Sequence, residues 1–209
     1  MELSQWTDFI GINFKEYRNI GRTGGSNLHK WIQKMEKLYK QELTNAMTYL
    51  GEKDDTIFVG QQIVFKGNPM STTLVNVSKD KMIETPVFEE TQMGLGLGLA
   101  AAGAFVISFY PRWDFLLSAT NQLVNHVDKW ELMTNKTVGM IIRVGKGADT
   151  PLDPGVQHKG NYLQEFKSLC KNIKFVDLDS PNKIFQSYKD AYEHKGIHLL
   201  VEYPELYSQ

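Results

Sequence analysis

Apolar residues along this chain fall into short dense runs separated by longer amphipathic stretches. The runs Thr56-Ile57-Phe58-Val59, Phe105 to Phe109, Val138 to Val144, Lys174 to Leu178 and Ile197 to Val201 are rich in β-branched and aromatic residues, and each predicts a strand. Ile32, Met35, Tyr39, Leu43, Ala46, Met47 and Leu50 recur at a spacing of about 3.6 residues, which predicts a helix from Leu28 to Leu50, stopped by Gly51. Further helices are predicted over Glu89 to Gly103, Trp113 to Met133, Tyr162 to Cys170 and Pro181 to Glu193, the last with its proline just inside the start. Strands that are apolar almost throughout and alternate with helices predict an α/β fold: three layers, a mostly parallel sheet with helices on both faces. Residues 1–28 read as an N-terminal extension and residues 29–209 as a single domain.

Length agrees with that organisation, since 209 residues suit one domain with a large core. A net charge of -1 argues against a general grip on nucleic acid, which needs a basic footprint. The single cysteine, Cys170, excludes an internal disulfide and a cysteine-based metal cage, and reads as a small buried hydrophobe. Residues Thr91 to Pro111 carry no charge and could span a bilayer by count. Four glycines at 94, 96, 98 and 103 make that stretch a poor isolated helix, so a small-residue helix followed by a buried strand is expected instead. No basic-then-apolar leader opens the chain, and a cytoplasmic protein is expected.

Candidate chemistry centres on Glu84-Thr85-Pro86-Val87-Phe88-Glu89-Glu90, which runs into Gly94, Gly96 and Gly98. A carboxyl beside so much apolar surface is costly to ionise, and such cost often marks chemistry; acids also simply favour the first turn of a helix. The glycines invite a dinucleotide-binding reading, but that fingerprint wants a tight turn after a strand and an acid about 20 residues later. Here the acids come first, and close helix packing accounts for the glycines. No P-loop, metal-ligand spacing or nucleophile elbow is present in the sequence. His29, His126, His194 and His198 read as structural or surface groups. His158 follows the long Gly/Pro-rich loop from Gly145 to Gln157, where acid-base residues are often carried.

Together these blocks resemble the beta subunit of the thiamine-diphosphate-dependent 2-oxoacid dehydrogenases, a member of the transketolase-like pyrimidine-binding group. The likeness runs from about Lys30 to Tyr207. It is carried by Glu84 to Glu89, by the Gly94 to Gly103 segment, by Trp113-Asp114-Phe115 with Gln122 to His126 and Lys129-Trp130, and by Gln157-His158 with the closing Leu200 to Tyr207. The resemblance implies the pyrimidine module of the thiamine-diphosphate-binding fold over residues 29–209. It aligns Glu89 with the glutamate that hydrogen-bonds a ring nitrogen of the aminopyrimidine and favours the tautomer that deprotonates the thiazolium carbon. That task needs a carboxylic acid able to keep a proton, which apolar surroundings favour. Phe115 aligns with the aromatic that stacks on the pyrimidine, Val87 with an apolar residue lining the same pocket, and His158 with an active-site histidine.

The sequence departs from the family at Gly60-Gln61-Gln62, where Gly-Glu-Glu is usual, at Phe88, and at Pro111-Arg112 before Trp113. It ends at Gln209, where the family continues into a C-terminal domain, so a standalone module is expected. The family's Gly-Asp-Gly followed by Asn, which holds diphosphate through Mg²⁺, is not found in the sequence. The resemblance therefore implies an alpha-type partner subunit that holds the diphosphate half of thiamine diphosphate and the Mg²⁺. It implies a homodimer of this chain or an alpha2beta2 assembly, acting on a small molecule, with no nucleic acid and no membrane. The expected function is the pyrimidine-binding half of a split enzyme for 2-oxo acid decarboxylation or two-carbon transfer. The alternative is a non-catalytic assembly module that has kept the fold.

Overall fold

A computed structural model describes residues 25–65, 68–149 and 153–207, with side chains in the first helix from Leu38 onward. Most of the segment 1–28 lies outside the described residues, as does the side chain of His29; residues 25–28 already belong to the first helix. The element order is α1 (Gly25–Gly51), β1 (Thr56–Gly60), β2 (Met82–Glu84), α2 (Glu89–Ala101), β3 (Phe105–Tyr110) and α3 (Trp113–Leu116). It continues with α4 (Trp130–Thr134), β4 (Gly139–Gly145), α5 (Leu163–Leu169), β5 (Lys174–Asp177), α6 (Pro181–His194) and β6 (Gly196–Glu202).

The six strands form one sheet in the order β2-β1-β3-β4-β6-β5, and every pairing is parallel. The sheet is thus wholly rather than mostly parallel. Its central strands are buried along their whole length, β3 and β4 at every position, which is why they read as unbroken apolar runs. Val106, Tyr110, Met140, Ile142, Leu199 and Val201 face a core shared with α2, α3 and α5. Phe58, Ile107, Phe109, Ile141 and Leu200 face a second core under α1 and α6. These two helices pack on one another, and the Tyr39 hydroxyl on α1 donates to the Leu178 carbonyl at 2.7 Å. Cys170 is sealed in the first core, and burial, with the nearby Asp128 charge, pushes its thiol up to about 12.

Near the carboxyl end of the sheet, Arg143 on β4 and Glu202 on β6 form an ion pair inside the second core. Arg143 Nε lies 2.5 Å and Nη2 2.9 Å from the two Glu202 oxygens. The Tyr188 and Tyr207 hydroxyls donate to the same carboxylate, and Arg143 Nη2 reaches the Thr73 hydroxyl at 3.2 Å. Burial alone would lower the guanidinium's pKa, but the Glu202 charge overrides it and holds it above its usual value.

Three expectations need correction. β2 is a strand the apolar pattern missed. The segment predicted as one helix from Trp113 to Met133 is broken: after α3 comes a 3-10 turn at Leu117–Ala119, then a π-helical turn at Gln122–Val127, then α4. The buried positions explain it. Trp113, Leu116 and Ala119 recur every three residues, and Ala119, Leu123 and Val127 every four, so the helix tightens and then widens to keep them inward. Finally, only Gly96 makes the close approach expected of the α2 glycines. A Cβ there would lie 3.0 Å from Met140 Cε, whereas one at Gly98 would meet nothing within 4 Å.

Candidate functional site

The strand order fixes where a site can form. The chain leaves β1 toward the β2 edge and leaves β3 toward β4, so the loops after these neighbouring strands diverge. In an open parallel sheet a crevice forms at such a point, outside the carboxyl ends of the strands. The segments that carry Glu89, Phe115 and His158 all emerge from that rim: Glu89 opens α2 after β2, Phe115 lies in α3 after β3, and His158 ends the long loop after β4.

Glu84 and Thr85 build the floor. The Glu84 carboxylate accepts the Gln62, Ile63 and Val64 N–H groups at 2.5, 3.0 and 3.0 Å, holding a turn in which Gln62 adopts φ 56°. The Thr85 N–H donates to the Gly60 carbonyl at 2.9 Å. This brings Pro86 to Phe88 over the rim, with Val87 and Phe88 largely exposed. Glu89 and Glu90 then occupy the first turn of α2, where the helix dipole favours negative charge. Glu89 is half-buried and Glu90 exposed.

One turn along, Gln92 is buried and its amide is fully used. Its oxygen accepts from the Thr85 hydroxyl at 3.1 Å; its nitrogen donates to the Ser108 hydroxyl at 3.1 Å and the Phe109 carbonyl at 2.8 Å. The Tyr110 hydroxyl donates to the Glu89 carbonyl at 3.3 Å. Burial, and to a lesser degree the Glu89 charge, pushes the Tyr110 phenol well above its ordinary pKa, so it stays a donor. The start of α2 is therefore pinned to β3 at two points.

Phe115 and His158, far apart in sequence, meet edge to face with ring centroids 5.3 Å apart and an interplanar angle of 61°. Both are half-buried, and His158 Nδ1 is buried without a hydrogen-bond partner among the described residues. Three contacts hold the histidine loop against α3. Arg112 Nη1 donates to the His158 carbonyl at 3.2 Å, and Asp114 accepts the Gly160 N–H at 3.3 Å and the Tyr162 hydroxyl at 3.4 Å. The backbones also come very close at Gly147, where an added Cβ would lie 2.1 Å from the Lys159 carbonyl carbon. Beneath, Trp113 stacks on Phe166 at 5.2 Å and fixes α3 to α5.

The rim thus brings Glu89, Phe115 and His158 to one end of the sheet, with Val87 exposed beside Glu89. Sequence reasoning overlooked Tyr110 and Gln92, placed Asp114 in a motif without giving it a role, and noted Arg112 only as a departure. Tyr110 and Gln92 left a weak signal: a polar group at the end of an apolar strand and one at the end of the first turn of an apolar helix. Among the described side chains the other histidines stay apart. His126 and His194 are exposed, and His198 is buried within β6. A separate cavity of about 720 Å³ lies between α1 and the 63–79 segment, lined by Lys40, Ile63, Leu74, Val77, Met82 and Tyr207. It contains neither Glu89, Phe115 nor His158 and holds no acid–base pair, so the candidate chemistry is at the rim. Among the described residues no group of three or more His, Cys, Asp or Glu could hold a metal ion, and no helix is long and apolar enough to cross a membrane.

Comparison with known proteins agrees with this architecture. The 2-oxoisovalerate dehydrogenase subunit beta 2, mitochondrial, of Arabidopsis thaliana is 28% identical over 151 residues, covering 68% of this chain and 40% of that protein. A solved split-gene transketolase, described as an inactive beta4 tetramer, shares the fold with a TM-score of 0.62 at 13% identity, over 80% of this chain and 52% of the other. The chain thus spans about half, or less, of the length of these relatives. The profile of the family described as transketolase, pyrimidine binding domain, matches residues 36–208. With nearly all of the described residues inside that match, the chain belongs to the transketolase pyrimidine-binding domain family, a domain of thiamine-diphosphate-dependent enzymes.

Proposed function

We propose that this chain is the pyrimidine-binding subunit of a split thiamine-diphosphate enzyme that acts on a 2-oxo acid or a ketose. The observation that carries the reading is the pairing of Phe115 and His158, 5.3 Å apart on the same rim as the half-buried Glu89 at the start of α2. The residues suit the cofactor. A half-buried aromatic face takes a flat heteroaromatic ring, a carboxyl at a helix start meets a ring nitrogen, and an orphaned imidazole nitrogen awaits a polar partner. When bound, thiamine diphosphate supplies the nucleophilic carbon and the electron sink.

The chain's own residues bind and orient. Glu89 hydrogen-bonds the pyrimidine and holds or yields a proton there, with its backbone fixed by Tyr110 and Gln92. Phe115 and Val87 supply the apolar walls. His158 carries a proton to or from the substrate oxygen, its ring set by Phe115 and its backbone by Arg112. The diphosphate and Mg²⁺ belong to an alpha-type partner, because the family's Gly-Asp-Gly motif is not found in this sequence. The inactive beta4 state of the split transketolase supports a beta-type chain that associates with itself and works only with a further partner. The exposed Val87, Phe88 and Leu95 beside the open flank at Gly98 suit such contacts.

The test is calorimetry of thiamine diphosphate with Mg²⁺, on the chain alone and on its complex with the alpha-type partner. Binding in the complex, with turnover of a 2-oxo acid or ketose that Glu89→Gln abolishes, is the expected result. Full activity in Glu89→Gln removes Glu89 from its role, and no binding in the complex favours the non-catalytic assembly module. Gln61-Gln62 in place of the family's acids is the feature that speaks for that second reading.

A further inference from the structure

Arg112 stands at the carboxyl end of β3, directly before α3, and reaches the backbone of the catalytic candidate His158. Its guanidinium offers five N–H donors. One, on Nη1, goes to the His158 carbonyl at 3.2 Å. The remaining donors have no hydrogen-bond partner among the described residues, and no carboxylate there lies within ion-pair distance. Asp114, the acid nearest in sequence, directs its oxygens to Gly160 and Tyr162 instead.

The neighbouring cations differ. Lys159 pairs with Asp149 and Asp153, and Lys146 lies 3.8 Å from Glu205. Arg143, the other arginine at this end of the sheet, is held by Glu202. Arg112 is therefore the rim cation left without a counter-charge among the described residues. It is also half-buried, where a charge interacts more strongly than in bulk water. The chain's net charge of -1 provides no general pull on anions, so any such pull here is local.

We propose that Arg112 is a substrate-binding residue that receives the anionic end of the substrate, a carboxylate or a phosphate, beside the His158 imidazole and the Phe115 ring. This rests on the proposed function, and it names the substrate class for that site as an oxyanion. A guanidinium edge presents two parallel N–H groups that match two oxygens of either anion. Held there, the substrate's carbonyl carbon comes beside the aromatic pair rather than out in solvent. The same guanidinium's bond to the His158 backbone couples substrate capture to the position of the imidazole.

The experiment follows the His158 ring signals by NMR in the full chain during titration with pyruvate, with the neutral analogue pyruvamide, and with methyl phosphate. It is run on the native protein, on R112Q and on R112K. We expect a saturable response to pyruvate, to methyl phosphate, or to both, none to pyruvamide at equal concentration, a response at least tenfold weaker in R112Q, and partial recovery in R112K. A response to pyruvate alone assigns a carboxylate, and one to methyl phosphate alone assigns a phosphorylated substrate; either upholds the proposal. Equal responses to pyruvate and pyruvamide, a response to neither anion, or an unchanged response in R112Q overturns it. If Arg112 only braced the loop, R112Q would shift the ring signals without ligand and leave the contrast between pyruvate and pyruvamide intact. Thiamine diphosphate binding, measured on the complex of the native chain, separates the two failures. Binding without an anion response refutes this proposal alone, whereas no binding removes the function beneath it.

Discussion

Arg143 and Glu202 form a two-pronged ion pair with both side chains at 0% exposure, closed by the hydroxyls of Tyr188 and Tyr207. The pair joins β4 and β6 to α6 and to the residues just after the last strand. Removing one partner leaves a buried charge, which costs about 3–5 kcal/mol. Glu202→Gln is expected to lower the melting temperature on the order of 10 °C, by scanning calorimetry. An unchanged melting temperature would show that the pair contributes nothing net.

His198 predicts a loss of stability in mild acid. Burial, then the charge of Lys174, lowers its pKa to about 4, and its Nδ1 lacks a partner among the described residues. Unfolded, the imidazole titrates near about 6.5. Between those values the unfolded chain binds a proton that the folded chain does not, so stability falls as pH drops through the window and levels off below it. The loss should reach about 3 kcal/mol at most. Urea unfolding at pH 7 and pH 4.5 should show this drop in the native protein and a smaller one in His198→Gln.

Gln92 gives a third prediction. Gln92→Leu keeps the volume but strands the Ser108 hydroxyl and the Phe109 carbonyl. A cost of about 2–4 kcal/mol is expected for two buried groups left unpaired. Because Gln92 follows Glu89 by one turn, hydrogen exchange at the start of α2 should rise more than at α6. Equal protection at both helices would deny Gln92 a local pinning role.

Gly147→Ala should separate the aromatic pair. A methyl there meets the Lys159 backbone, which cannot yield without moving the loop next to His158. The ring-to-ring nuclear Overhauser contacts between Phe115 and His158 should weaken or vanish, with the strands unaffected. Contacts of native strength would mean that the loop accommodates the methyl elsewhere.

The sequence made the fold readable wherever a strand carries a run of apolar residues, even at the edge strand β5, which is only half-buried. β1, β3, β4, β5 and β6 each carry an apolar run, and α6 announces itself with Pro181. β2 escaped because it is only three residues long and one of them is Glu84, whose charge serves three backbone amides rather than the core. The Trp113 segment escaped because a pattern of threes followed by fours averages to an ordinary helix. At the site, Glu89, Phe115 and His158 were reachable through motif likeness. Tyr110 and Gln92 were not, since each acts through a contact with a residue at least seven positions away in the chain; Asp114 lay inside a matched motif, but its hold on Gly160 and Tyr162 did not show there.

The thiol of Cys170 sits sealed beneath α5 and is held in its protonated form to about pH 12. A protonated, enclosed sulfur is a poor nucleophile, so alkylating reagents must wait for the surrounding structure to part. This chain consequently carries its own clock: the pace at which iodoacetamide consumes its sole sulfhydryl reports how often the core opens.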